Sequence, residues 1–259
     1  MPDLIIERAG GVVTATINRP ERKNALTYAL FDTLGALFNE VSASEADRVL
    51  VLRGAGGAFS SGMDLADRGG DDEPRPGTKA AMVRIHDAAL SLHRCSKPTV
   101  AIVDGVAAGA GLSLALGCDL VIASERARFC AIFVRRGLSI DFGLSWILPR
   151  LVGLARAKEL ALFGEMVSAE EALAMGMIAR VASVDSLDTV ADALVERLAN
   201  GPTVAISSSM ALLDESHSRT MAEAVDAEGD AQVRSIATDD VAEAIAAFLE
   251  KRDATFTGR

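Results

Sequence analysis

The feature that most restricts the fold is an alternation that stops. Up to Ser124, short apolar runs alternate with longer stretches of helical periodicity; after about residue 143 the extended runs nearly vanish. LIIER and VVTATIN flank Gly10-Gly11 and predict a hairpin over 4–8 and 12–18. A helix starting at Asn24 is predicted through ALTYALFDTLGALFNEVSAS, where apolar residues recur at helical spacing. RVLVLRG (48–54), TVAIVDG and CDLVIASE predict further strands. Between them lie a helix over 80–96 and the segment VAAGAGLSLALG, which bends through small residues into another helix. Strands joined by helical crossovers pair mostly in parallel, so an α/β fold is expected.

Residues 55–79 read as a loop, glycine-rich at first, then acidic and proline-bearing. Beyond it, helices are predicted at 143–150, 154–163, 168–175, 188–200, 203–214, 219–236 and 239–252, with only MIARVAS extended. This divides the chain into a β/α core over 1–200 and a helical region over 201–259. A helical tail of that length must bury its apolar stripe on its own core or on a neighbouring subunit.

Composition excludes some partners. The net charge is -10 and the pI about 4.9, which disfavours nucleic acid or an anionic membrane as the main partner. No apolar run approaches the ~20 residues of a membrane span, and MPDLIIERAGG lacks a secretory pattern. A cytoplasmic protein is expected. Cys95, Cys118 and Cys130 are scattered and odd in number, so they read as core thiols. His86 and His93 are seven residues apart on one helix face, and no third ligand accompanies them, so no metal is expected.

Three stretches could carry chemistry. GVAAGAG (105–111) follows a strand and could turn its N–H groups to a pyrophosphate, pack a helix closely on a strand, or face a thioester oxygen. Tyr28 has no lysine four residues on, so a short-chain dehydrogenase pair is missing. AFSSGMDL (58–65) has the small residues that let a ligand approach backbone, or is an ordinary turn. In GLSIDFGLSW (137–146) one acid, Asp141, stands in an apolar run beside the only tryptophan, Trp146. Asp141 could cap the following helix, which would lower its pKa, or act as a base made stronger by burial.

Taken together, these stretches resemble the crotonase family, the enoyl-CoA hydratase/isomerase superfamily. INRPERKNAL (17–26), AFSSGMDL and AIVDGVAAGAGLSLALGCDLVIAS carry the likeness in order. LPRLVGLARAKELALFGEMVSAEEALAMGMI and the ending FLEKRDATFTGR continue it, with Ala254 where the family has proline. The resemblance implies a ClpP-like spiral of ββα units and a helical C-terminal region that forms trimers, often paired into hexamers. It implies an acyl-CoA thioester as ligand, with coenzyme A part of the substrate and no separate cofactor. Backbone N–H groups of Met63 and Ala110 would form an oxyanion hole, each donor worth about 3 to 4 kcal/mol to a thioester enolate. Arg22, Lys23 and Ser61 would line the CoA path. Phe248 and Lys251 would reach the nucleotide end, on a neighbouring subunit's ligand. The acyl pocket is expected to close under the 66–79 loop and the 80–95 helix.

The chain departs from the hydratase pattern. The two glutamates that hydratases of this family use fall on Ser113 and Phe133, and neither can do general acid–base work. A carboxylate reappears at Asp141, which matches the catalytic aspartate of dienoyl-CoA isomerases and of the isomerases of bacterial phenylacetate degradation. Ile140 and Leu144 replace a proline and a glycine of that pattern. The expectation is an enoyl-CoA double-bond isomerase with Asp141 as proton shuttle. The alternatives are a hydratase in which Asp141 activates water, another thioester reaction such as hydrolysis or dehalogenation, and a catalytically silent CoA-ester-binding protein.

Overall fold

A computed structural model describes residues 1–66 and 77–259. Residues 67–76, the middle of the expected lid loop, lie outside that description. Strands β1 (Leu4–Ala9) and β2 (Val12–Ile17) form the predicted antiparallel hairpin, turning through Gly10 and Gly11 at φ 58° and 80°. In chain order there follow α1 (Tyr28–Ala43), β3 (Val49–Gly54), α2 (Lys79–His93), β4 (Thr99–Val103), β5 (Val106–Ala108) and α3 (Ala110–Leu116). Next come β6 (Leu120–Ser124), β7 (Arg128–Cys130), α4 (Leu144–Val152), α5 (Leu154–Phe163), β8 (Met166–Ser168), α6 (Ala169–Ala174) and β9 (Arg180–Ala182). Helices α7 (Leu187–Ala199), α8 (Thr203–Asp214), α9 (Met221–Ile236) and α10 (Asp239–Glu250) complete the chain.

The larger sheet has the order β1-β2-β3-β4-β6-β9, and every pair after the hairpin is parallel. A smaller sheet has the order β5-β7-β8. Thus β4 then β5, and β6 then β7, each place one strand in each sheet before the next helix. That repeat is the ββα unit. The three strands of the small sheet are three residues each, too short to show periodicity in sequence.

The middle strands β3 and β4 of the large sheet are buried on both faces, so β3 reads as a continuous apolar run. Leu50 and Leu52 face the main core, while Val49 and Val51 face a second layer under α7. Ala191, Val195 and Ala199, spaced four apart, are the buried stripe of α7. On the main-core side α1 buries Phe31, Leu34, Phe38 and Val41, each worth about 1.5 to 3 kcal/mol relative to exposure. Cys95, Cys118 and Cys130 are buried, free thiols.

One expected boundary is corrected. Asn24 does not start α1; Thr27 does, its side chain accepting the Leu30 N–H. Asn24 is buried at φ 56°, and its amide donates to Ala55 O and Ala58 O at 2.8 and 2.7 Å. Asparagine serves both N-caps and left-handed sites, and here the second use wins.

Helix α8 buries none of its residues. On α9 and α10, Met221, Val233, Phe248 and Leu249 are each more than two-thirds exposed (80, 69, 82 and 73 %). The chain's end is nevertheless tied down. Asp240 accepts from the Thr257 N–H at 2.6 Å and the Gly258 N–H at 2.9 Å, and Asp239 N–H donates to Arg259 O at 2.9 Å. Among the described residues no helix is long and apolar enough to cross a membrane.

Candidate active site

Residues 58–63 lie beside β5 and extend the small sheet. Phe59 and Ser60 donate their N–H groups to Val106 O, and Ala108 N–H returns a bond to Ser60 O. On the other side, Leu26 N–H donates to Gly62 O and Asp64 N–H to Leu26 O, both at 2.8 Å. Leu26 therefore bonds around Met63, and the Met63 N–H points away from it. Ala110 is the first residue of α3, where no preceding turn supplies a helical acceptor for its N–H. Gly62, at φ 96°, fits this crowding as no other residue could. A Cβ there would lie 2.7 Å from Ala108 O and 3.3 Å from Ala110 N.

An ion pair braces this corner. The Arg19 guanidinium donates to Asp64 at 2.9 Å and to Ala25 O at 2.5 Å. Burial pushes the Asp64 carboxyl up, but the Ala66 N–H and the Arg19 charge outweigh it and hold it below its usual value. Sequence reasoning missed this pair, because 45 residues separate its members.

The structure brings Arg22, Lys23 and Ser61 together. Ser61 N–H donates to Lys23 O at 2.9 Å, and the Ser61 hydroxyl donates to Arg22 O at 3.2 Å. Arg22 and Lys23 are exposed, with Lys23 left-handed at φ 50°. Phe248 and Lys251 are elsewhere, at the end of α10, which packs on α9. No hydrogen bond or ion pair among the described residues joins them to the Arg22 group.

Ser113 and Phe133 sit deep. Ser113 is fully buried, and its hydroxyl donates back to Gly109 O at 3.3 Å within its own helix. Phe133 is buried in the main core, which also holds Ala110 and Phe142; Met63 and Ile140 pack against the same core.

Asp141 does not cap α4. The N-cap is Gly143 and no side chain caps the helix. Phe142 and Gly143 are both left-handed, at φ 51° and 77°, and the main-chain O of Asp141 accepts the Leu144 N–H at 3.0 Å. Two positive φ values closed by that bond make a type I′ turn. The Asp141 carboxylate is thereby freed from its helix. Its Oδ1 is sealed from solvent and has no partner among the described residues. Burial raises its pKa to about 6.

A cavity of about 770 Å³ opens between α2, α4 and α8. None of Met63, Ala110 and Asp141 lines it, but Phe142 does. Among the described residues no group of three or more His, Cys, Asp or Glu is placed to hold a metal.

The fold is a two-sheet ββα architecture with a helical C-terminal region. The Enoyl-CoA hydratase/isomerase family pattern matches residues 7–259. The chain is 38% identical over 251 residues to the 1,2-epoxyphenylacetyl-CoA isomerase of Escherichia coli (strain K12), covering 96% of each. It is 37% identical to a probable enoyl-CoA hydratase of Rhodobacter capsulatus, covering 98% of this chain and 97% of that one. The crystal structure of enoyl-CoA hydratase from Bacillus anthracis superposes with a TM-score of 0.93 at 28% identity, over the full length of both. The chain belongs to the enoyl-CoA hydratase/isomerase family, and its fold is the crotonase fold.

Proposed function

We propose that this family member moves a double bond in an enoyl-CoA ester, with Asp141 as the proton shuttle. One observation carries the reading: Asp141 holds a buried, unpartnered carboxylate oxygen on a turn that keeps it from capping its helix. A carboxylate with a pKa raised to about 6 is ionised at neutral pH and still basic enough to take a carbon-bound proton.

In this mechanism Asp141 removes a proton from the α-carbon of a β,γ-unsaturated thioester. The electrons spread into a dienolate, with negative charge on the thioester oxygen. The N–H groups of Met63 and Ala110 stabilise that charge. Protonated Asp141 then returns the proton to the γ-carbon, leaving the α,β-unsaturated ester and the original carboxylate. No water is consumed. Ser113 and Phe133 offer no second carboxylate to activate one, which counts against hydration.

Arg22, Lys23 and Ser61 would hold the CoA moiety. Phe248 and Lys251 would reach a neighbouring subunit's ligand in a trimer or hexamer, a role that suits the exposed apolar residues of α9 and α10. The test is a parallel assay of β,γ- and α,β-enoyl-CoA esters with short, long and aromatic acyl groups. Double-bond migration without water addition is the expected result. Water addition to the α,β-esters without migration would show a hydratase, and binding without any turnover a silent CoA-ester-binding protein.

A further inference from the structure

The turn that frees Asp141 is held in a conformation its own sequence opposes. A type I′ turn favours Asn-Gly at its centre, because both central residues need positive φ. Here the first central residue is Phe142, at φ 51°. A bulky L side chain rarely adopts that backbone without being forced. The force comes from its ring. Phe142 is 2% exposed and stacks at a tilt on Phe31 of α1, with ring centroids 5.7 Å apart; Phe31 is itself fully buried.

Phe142 is also part of the wall of the cavity of about 770 Å³. Solvent reaches that cavity, since Leu90, Trp146 and Leu213 on its wall are exposed. Its titratable groups are His93 of α2, Cys95, Cys118, Asp119, Arg150 of α4, Asp214 and His217. None of them acts on Asp141, whose titration is set by burial alone. Phe142 therefore follows Asp141, one of whose oxygens is sealed from solvent, and lines a solvent-reached cavity that carries charged groups.

We propose that Phe142 is a positioning residue: its ring, clamped on Phe31, locks the left-handed turn that points Asp141 into the acyl site and walls that carboxylate off from the cavity. Without the clamp the chain relaxes toward ordinary right-handed backbone. Asp141 then moves to the N-cap of α4, where N–H donors stabilise its charge and weaken it as a base. This rests on the proposed role of Asp141.

The experiment compares Phe142→Ala, which loses the ring and disfavours a left-handed backbone, with Phe31→Leu, which keeps an apolar side chain but loosens the clamp. Phe142→Leu serves as the conservative rescue. Each is checked for folding by thermal melt and assayed with the β,γ-enoyl-CoA ester the wild type turns over best. Phe142→Ala is expected to lose about 100-fold in kcat with KM little changed. The acid limb of its kcat/KM profile should move from about 6 toward the ordinary carboxylate range. Phe31→Leu should move the limb the same way by less, and Phe142→Leu should restore much of kcat. A limb and kcat at wild-type values in Phe142→Ala, or in Phe31→Leu if the alanine variant does not fold, overturn the proposal while the role of Asp141 stands. Asp141→Asn with wild-type turnover overturns both.

Discussion

Asp141 and Asp240 are two largely buried aspartates near helix N-termini, and the chain treats them in opposite ways. Asp240 lies inside the first turn of α10 and spends both oxygens on the N–H groups of Thr257 and Gly258, folding the tail back onto the helix. Asp141 stands three residues ahead of α4, and one of its oxygens meets neither donor nor solvent among the described residues. A buried carboxylate with its partners is a fastener. One without them keeps its desolvation cost as chemical potential, here a raised pKa. What distinguishes them is the backbone beside them, not the side chain.

The sharpest break in the comparison is to make the two acids amides or remove them. Asp141→Asn is expected to lower isomerisation by about 1000-fold, because an amide cannot take the proton, while CoA-ester affinity measured by calorimetry stays at the wild-type value. Asp240→Ala should leave kcat intact and lower unfolding free energy by about 2 to 3 kcal/mol in a denaturant titration, since it strands the tail's donors. If instead the Asp240 variant loses activity and the Asp141 variant loses stability, the contrast is reversed.

A smaller effect sharpens the contrast through pH. Asp141 binds its proton more tightly folded than unfolded, so its ionisation opposes folding. The contribution of Asp141 to stability should fall as pH rises from about 4 to about 6 and be flat on either side. Asp141→Asn removes that loss and should gain on the order of 2 kcal/mol at neutral pH, discounted for partial exposure. An activity-dead variant that is more stable than its parent would mark Asp141 as functional. The smallest expected change is at the end of the helix Asp240 anchors. Lys251→Ala should raise KM about fivefold with kcat unchanged, as befits an exposed charge on a ligand phosphate.

Much of this architecture is legible from sequence where elements are long. The stripe of α7 and the β3 run announce themselves because four-residue and continuous apolar spacing persist long enough to be read. Strands β5, β7 and β8 do not, because three residues carry no period. Asn24 misleads because one side chain suits two backbone roles. The N–H groups of Met63 and Ala110 leave no mark on residue identity, so only the resemblance pointed to them. Gly62, within the AFSSGMDL run that admits a ligand close to the backbone, is the sequence signal beside them. Whether Asp141 caps or faces away was unreadable, since the answer turns on the φ of Phe142, which is tied to a ring at position 31.

That ring contact also has a meaning for descent. Residues 31 and 142 are far apart in the chain but share one stacking geometry. A change at either one alone loosens the other's hold on that geometry. Among relatives that rely on an acid at this turn, the two sites should therefore shift in company, as a matched pair inherited or replaced together.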